Sequence, residues 1–179
     1  CDDDGDCAQA NVEVIVGPVD CDAEGVILGT PGADILRGTP GDDVICAFGG
    51  NDRIYAGAGD DLLDAAGGWD RMWAEDGNDV MRGSAGDDRI NGGDGNDVAL
   101  MGAGDDVFVW NPGDDSDTLE GQAGFDTMLF NGANVAENID IVANGGRAIF
   151  FRNIASVTMD LNDVEVIDFS ALGGADNIV

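Results

Sequence analysis

Apolar residues recur along the middle of the chain at intervals of nine. Each of them stands two residues after an aspartate, and glycine, acidic and other polar residues fill most of the space between them. The apolar positions are Leu36, Ile45, Ile54, Leu63, Met72, Met81, Ile90, Ala99 and Phe108. Self-similarity at a fixed short period is the mark of a repeat architecture. The pattern predicts a series of short strands separated by turns.

Glycine and aspartate follow the same period of nine. Glycine stands at positions 32, 41, 50, 59, 68, 77, 86, 95, 104 and 113, and aspartate stands two residues after each of them. Composition alone does not produce so many consecutive coincidences. After Gly113 the phase slips by two residues, and Asp117 and Asp126 resume the pattern. A last copy is predicted at Gly174, Asp176 and Ile178.

Three copies carry a resemblance to a known family: "GTPGADILR" from Gly29, "GTPGDDVIC" from Gly38 and "GGDGNDVAL" from Gly92. They resemble the RTX (hemolysin-type) nonapeptide, G-G-x-G-x-D-x-U-x, where U is a large apolar residue. The resemblance is close over residues 29–110 and loose over 117–130. The sequence departs from the family mainly at the first two glycines. Glu75 is one such replacement and would be strained wherever the backbone needs a positive φ.

The resemblance implies an all-β fold, a right-handed parallel β-roll (a β-solenoid) with two nonapeptides per coil and calcium between stacked turns. Carboxylates 18 residues apart, together with backbone carbonyls, would hold each ion. The implied metal ligands are Asp34, Asp52, Asp70, Asp88 and Asp106 along one edge, Asp43, Asp61, Asp79, Asp97 and Asp115 along the other, and Asp117 and Asp126 in the phase-shifted copies. This arrangement predicts about eight Ca²⁺ ions as the cofactor.

Calcium chemistry supports the same interpretation. Calcium is a hard cation that accepts six to eight oxygen ligands, carbonyls as well as carboxylates. Glycine allows the tight turns, and the cation cancels repulsion between stacked carboxylates. The alternative is a disordered acidic linker. A linker has no reason to keep an apolar residue two positions after each aspartate, although without calcium a disordered chain is the expected description.

The charge is strongly one-sided. Seven basic residues, all arginine, stand against 37 acidic residues, which gives a net charge of −30. This excess argues against nucleic acid and anionic membranes as partners, and the self-repulsion of the compact state calls for counter-charge. No apolar run approaches the length of a membrane span.

Because alternate copies belong to opposite sheets of such a roll, its two faces differ. The residue after each aspartate points outward. One face then carries Arg53, Arg71 and Arg89, next to a column with Tyr55 and Trp73, which permits stacking of guanidinium groups on rings; a merely solvated row of arginines is the alternative. The other face carries an apolar stripe of Val44, Leu62, Val80 and Val98. We expect this stripe to be covered by a terminal segment or by another chain.

The ends of the chain differ from the repeat. Residues 1–28 form an N-terminal segment with two predicted strands, at Val12–Gly17 and Gly25–Gly29, before a roll over residues 29–116. Four cysteines without histidine favour disulfides over zinc, and Cys1–Cys7 with Cys21–Cys46 is the preferred pairing; free thiols remain the alternative. "CDDDGDC" approaches an EF-hand calcium loop but misplaces its glycine, so a small disulfide loop is preferred.

Residues 117–179 combine the phase-shifted repeat with irregular β-coils or a β cap that contains a hairpin. A solenoid needs capped ends, because open sheet edges recruit other strands. The chain is therefore either a fragment of a longer protein or a unit that stacks head to tail into a filament.

Nothing in the sequence indicates an enzyme, since nucleophile and metalloprotease motifs are absent. The leading hypothesis is a secreted, extracellular calcium-binding module that folds on calcium and has a structural or assembly role. The alternative is a calcium-dependent secretion and folding domain of a larger exported toxin or hydrolase.

Overall fold

Residues 17–170, 173 and 176–179 are described by a computed structural model, in which the strands form two sheets. Odd-numbered repeats contribute to one sheet and even-numbered repeats to the other, as the period of nine predicts. The seven-stranded sheet contains β2 (Ile35–Arg37), β4 (Arg53–Ala58), β6 (Arg71–Asp76), β8 (Arg89–Asp94), β10 (Val107–Trp110), β12 (Thr127–Asn131) and β16 (Val166–Ser170). The ten-stranded sheet contains β1 (Ile27–Leu28), β3 (Val44–Cys46), β5 (Leu62–Asp64), β7 (Val80–Ala85), β9 (Val98–Ala103), β11 (Thr118–Ala123), β13 (Asn138–Asn144), β14 (Arg147–Arg152), β15 (Val157–Asn162) and β17 (Asn177–Ile178).

Neighbouring coils of the roll pair in parallel and in register. Ile54 pairs with Met72 and Met72 with Ile90, each 18 residues further along the chain. The step becomes 20 residues between Phe108 and Met128, which is the predicted phase slip of two. The all-β parallel solenoid is therefore confirmed.

The core lies between the two sheets, and the side chains two positions after the repeat aspartates form much of it. Those from Ile45 to Phe108 are at most 1% exposed, and Leu36 in the first coil is 9% exposed. Toward the C-terminal end the core becomes aromatic, with the rings of Trp110 and Phe130 stacked at 4.3 Å between centroids. Removing these side chains from water is the main stabilising contribution of the apolar period.

The C-terminal part combines both predicted alternatives. β15 continues the parallel stack on β11, and β16 continues it on β12. β13 and β14, which precede β15 in the chain, form an antiparallel hairpin that extends the ten-stranded sheet beyond β15. The predicted last copy also reaches this sheet, because Ile178 of β17 pairs with Ile139 of β13.

The N-terminal predictions are tested only in part. β1 lies within the predicted strand at Gly25–Gly29 and pairs with β3. The disulfide Cys21–Cys46 is present and ties the segment before β1 to the roll. The predicted pair Cys1–Cys7, the EF-hand-like loop and nearly all of the predicted strand Val12–Gly17 lie outside the described residues.

The apolar stripe on the ten-stranded sheet is half-buried at all four of its positions, Val44, Leu62, Val80 and Val98. Close to it, Arg82 of β7 donates a hydrogen bond to the carbonyl of Gly17. The described segment before β1 therefore contacts this sheet at Gly17, and cover of the whole stripe stays a prediction.

Candidate metal centre

Two ladders of aspartates run along the two edges of the roll. At each step the backbone amide of one aspartate donates to Oδ1 of the aspartate in the next coil. On one edge the ladder runs through Asp34, Asp52, Asp70, Asp88, Asp106 and Asp126, with N–O distances of 2.7–2.9 Å. On the other edge it runs through Asp43, Asp61, Asp79, Asp97 and Asp117, at 2.7–3.0 Å. The structure thus brings together eleven of the twelve predicted ligands.

The prediction of Asp115 as a ladder member is wrong. The amide of Asp97 donates to Oδ1 of Asp117, and Asp115 is exposed, with its carbonyl accepting from the Trp110 indole nitrogen at 2.9 Å. A turn closes here through the bond from the Asn111 amide to Asp114 Oδ2. The two extra residues occupy this turn, so the strict count of nine points to the wrong aspartate.

Nine of these carboxyl groups have a second oxygen without a partner. In each case Oδ1 accepts the amide bond, while Oδ2 is buried and no group of the described residues hydrogen-bonds to it. The nine are Asp52, Asp61, Asp70, Asp79, Asp88, Asp97, Asp106, Asp117 and Asp126. A buried, unpartnered anionic oxygen is costly, and two regular rows of them call for cations.

The first aspartate of each ladder is different. Oδ2 of Asp34 accepts from the amide of Thr30 at 2.6 Å and from its hydroxyl at 2.8 Å. Oδ2 of Asp43 accepts from the amide of Thr39 at 2.5 Å. Both side chains are only half-buried. The two terminal carboxylates are therefore already satisfied within their own turns, unlike the nine that follow.

In the inner coils, glycine is required at the fourth position of the repeat because adjacent coils approach each other closely there. Gly86 has a φ of 127°, and a Cβ on it would lie 1.5 Å from the carbonyl oxygen of Gly68 in the preceding coil. At the first position, a Cβ on Gly83 would lie 2.5 Å from Oδ2 of Asp88 and one on Gly92 would lie 2.0 Å from Oδ2 of Asp97. The absent side chains leave these oxygens open.

Replacements at the second position of the repeat retain the backbone conformation of glycine. Glu75 has a φ of 81° and Phe48 a φ of 71°. The strain expected at Glu75 is therefore present, since side-chain-bearing residues rarely adopt this region. Contacts in the neighbouring coils must compensate for it.

Burial raises the pKa values of the nine ladder carboxyls whose Oδ2 is buried, and the largest stated rise is that of Asp117. The pKa is raised to about 6 for Asp70 and Asp79, to about 7 for Asp88 and Asp97, and to about 9 for Asp117. Desolvation is the largest cause, opposed by the amide hydrogen bond and reinforced by neighbouring carboxylates. Ionised, these groups need a counter-ion.

A further set of hydrogen bonds between coils, which the sequence reasoning missed, uses the residue just before each aspartate. Here the amide of the later coil donates to a side chain of the earlier coil, as from Asp60 to Asp42 at 3.0 Å and from Asn78 to Asp60 at 2.9 Å. Asp105 donates in the same way to Asp87 at 3.0 Å. In this set the later coil donates and the earlier coil accepts, which is the reverse of the aspartate ladders. The recurrence of Asp or Asn before the repeat aspartate could have revealed this set of hydrogen bonds.

Two glutamates, also missed, extend the carboxylate rows into the C-terminal coils. Glu165 Oε2 accepts the amide of Asp126 at 2.7 Å. Glu137 Oε2 accepts the amide of Ala133 at 2.9 Å, and its Oε1 pairs with Arg152 at 2.5 Å, with both side chains almost fully buried. Each glutamate stands two residues before an isoleucine, which is the signal that could have identified them. At Glu137 the positive charge is therefore that of the Arg152 guanidinium.

The donor set fits calcium. Among the described residues, no group of three or more acidic, cysteine or histidine side chains could together hold a metal ion. An ion between stacked turns would therefore combine the unpartnered carboxylate oxygens with backbone carbonyls, a ligand set that calcium accepts and softer metals do not favour. When bound, the ion would supply positive charge against the ladder carboxylates, which would be oriented by their amide hydrogen bonds.

Comparison with known proteins agrees with this geometry. The family model of the RTX calcium-binding nonapeptide repeat matches the chain in four copies, at residues 28–63, 47–81, 73–108 and 112–129. These ranges together cover more than half of the 179 residues. No curated protein matches the chain.

Proposed function

The chain belongs to the RTX calcium-binding nonapeptide-repeat proteins, and from this premise we propose that it is an extracellular structural module whose folding is driven by calcium. The observation that carries the proposal is the two rows of buried carboxylate oxygens, nine in all, to which no group of the described residues hydrogen-bonds. In a chain with a net charge of −30, these groups can stack in their ionised form only with cations between them.

The mechanism is thermodynamic linkage between ion binding and folding. The ladder carboxylates come together only in the stacked coils, so ions bind the folded state and not the unfolded chain. Each site then stabilises the roll by about 2.7 kcal/mol when free calcium is a hundredfold above its dissociation constant. Stability follows the calcium concentration, and the module stiffens where calcium is abundant.

Circular dichroism and calorimetry test the proposal directly. Protein stripped of divalent ions should give the spectrum of a disordered chain and should acquire β structure on addition of Ca²⁺. Mg²⁺ is the matched control, because it holds its water and demands a tighter octahedral geometry. The calorimetric stoichiometry should be about eight ions per chain. Equal order in stripped and calcium-loaded protein would contradict the proposal.

An extracellular location is proposed on two grounds. The disulfide Cys21–Cys46 is of a kind that persists in oxidising compartments. Calcium in the amounts that such sites need is also found outside cells. Cysteine alkylation of the protein isolated from its native source, before and after reduction, tests this location: thiols that react before reduction would contradict it.

End-to-end assembly is the structural role that we propose for the module. β2 pairs only with β4, and β1 only with β3, among the strands that the structure describes. Such open edges favour the addition of another strand. Electron microscopy at saturating calcium should show filaments, and dispersed single particles would contradict assembly. The intact mass of the native protein tests the alternative, since a secretion domain of an exported toxin or hydrolase would carry a large additional domain.

A further inference from the structure

The chain before β1 is attached to the outer face of the ten-stranded sheet at two points. Cys21 forms a disulfide with Cys46 of β3, and the carbonyl of Gly17 accepts a hydrogen bond from the Arg82 guanidinium of β7. Cys46 and Arg82 belong to one row across the sheet, since Cys46 pairs in register with Asp64 and Asp64 with Arg82. Positions two strands apart in such a row are separated by about 10 Å. Followed backwards from Cys21 to Gly17, the chain thus leads from β3 toward β7.

The sheet around this second attachment point is apolar. The apolar stripe lies on the same face in the neighbouring row, because residues two apart along a strand point to the same side. Its last two members are Val80 on β7 and Val98 on β9. Leu100 of β9, which pairs in register with Arg82, adds a third apolar side chain, and all three are half-buried. A continuous apolar patch on so acidic a chain indicates a contact surface.

The five residues that precede the described part of the chain have the composition that this surface needs. Their sequence, at positions 12–16, is "VEVIV". In an extended conformation Val12, Val14 and Val16 would point to one side, and Glu13 and Ile15 to the other. Five extended residues span about 17 Å, which exceeds three strand spacings. The segment is therefore long enough to reach from β7 past β9 with three valines on the sheet and its one acidic side chain in solvent.

We propose that residues 12–16 pack on the outer face of the ten-stranded sheet and cover its apolar stripe at Val80, Val98 and Leu100. The disulfide and the Gly17 contact hold the segment beside this surface, so its effective concentration there is high. Packing removes the valines of the segment and the stripe from water together. The covered face is thereby closed to lateral association between rolls.

The surroundings favour this occupant over two others. A second copy of the chain would bring another net charge of −30 to the same face. Addition of residues 12–16 to the open edge of β1 would take the segment back to the beginning of the roll, three strands away from β7. The hydrogen bond between Gly17 and Arg82 of β7 therefore favours the face of the sheet over its edge.

NMR spectroscopy of the full chain at saturating calcium, with labelled valine and leucine methyl groups, tests the inference. Nuclear Overhauser contacts are expected from the methyl groups of Val14 and Val16 to those of Val80 and Val98. No such contact is expected to Val107, which is half-buried on the outer face of the opposite sheet and serves as the matched control.

Three results would overturn the inference. Contacts from the segment to Leu28 of β1 instead of the stripe would place it at the sheet edge. Contacts seen only between differently labelled molecules in a mixed sample would identify a second copy as the occupant. A segment without any contact to the ten-stranded sheet would leave the stripe uncovered.

Two adjacent substitutions test the contribution of the cover to stability. Val14→Asp would place a carboxylate against the apolar stripe and should lower the melting temperature at saturating calcium by about 5 °C. It should also increase the fluorescence of an added apolar dye such as ANS, because the stripe becomes accessible. Ile15→Asp makes the same change in charge on the opposite side of the segment and should melt as wild type does. Equal shifts for the two variants would contradict the proposed packing, and if V14D fails to fold, the methyl contacts of the wild-type protein decide.

Discussion

The amide of Asp88 donates to Oδ1 of Asp106 at 2.7 Å, while Oδ2 of Asp106 is buried and has no hydrogen-bond partner in the described part of the chain. One carboxylate thus has two functions: one oxygen sets the register between coils, and the other is left for a cation. Since the same arrangement recurs along both edges, stacking of the coils and binding of ions are a single equilibrium.

Replacing a ladder carboxylate should weaken calcium-driven folding without loss of the coil register. In Asp88→Asn, the side-chain oxygen can still accept the amide of Asp70, but the charge is gone. We expect the calcium concentration at the folding midpoint to rise about threefold to tenfold. Asp87→Asn is the matched control, because Asp87 is exposed and adjacent and also accepts an amide hydrogen bond. Equal shifts of the two midpoints would exclude a special role for the buried row.

The pH dependence of the calcium-free protein should have an unusual sign. Folding raises the pKa of Asp88 from 3.8 to about 7 and that of Asp117 to about 9. A raised folded-state pKa contributes stability below the unfolded value, and this contribution is lost as the pH rises through the folded value. Stripped protein should therefore gain β structure as the pH falls from about 8 to about 4, as measured by circular dichroism.

With calcium the pH dependence should reverse, because protons compete with the metal for the same oxygens. The midpoint calcium concentration should fall as the pH rises from about 5 to about 8, and ion binding should release protons into a weakly buffered solution. A midpoint that does not depend on pH would show that the buried carboxylates do not bind the ion.

The glycines at the fourth position of the repeat should not tolerate a side chain in the inner coils. Gly86→Ala would place a Cβ 1.5 Å from the Gly68 carbonyl, at a φ of 127°. We expect a loss of at least ~3 kcal/mol in the free energy of unfolding at saturating calcium. Gly41→Ala is the control, since this glycine holds the same repeat position in an end coil and a Cβ there would meet nothing within 4 Å. Thermal melts that shift equally for both variants would refute the stacking requirement.

The buried pair of Glu137 and Arg152 should be essential to the C-terminal coils. Arg152→Met leaves a fully buried carboxylate without a cation and should cost about 3–5 kcal/mol in chemical denaturation at saturating calcium. The double variant E137Q/R152M removes both charges and should recover much of that loss. If the double variant were as unstable as the single one, packing of the guanidinium on Trp110 at 5.0 Å would be its main contribution.

The sequence by itself determined the features that depend on near neighbours along the chain. The period of nine placed the core residue of each coil, assigned alternate strands to opposite sheets and identified eleven ladder aspartates, because every coil meets the same local requirements: a tight turn, a carboxylate and one apolar side chain. The resemblance to the RTX family, which rests on that same period, added calcium.

The tertiary structure alone decided the features that join residues far apart or outside the period. It showed that Asp117, and not Asp115, belongs to the aspartate ladder, because a repeat period of nine does not say how a turn accommodates two extra residues. It brought Glu165 to Asp126 across 39 residues and Arg152 to Glu137 across a hairpin. It also showed which carboxylate oxygens lack a hydrogen-bond partner among the described residues, because hydrogen bonding depends on positions in space.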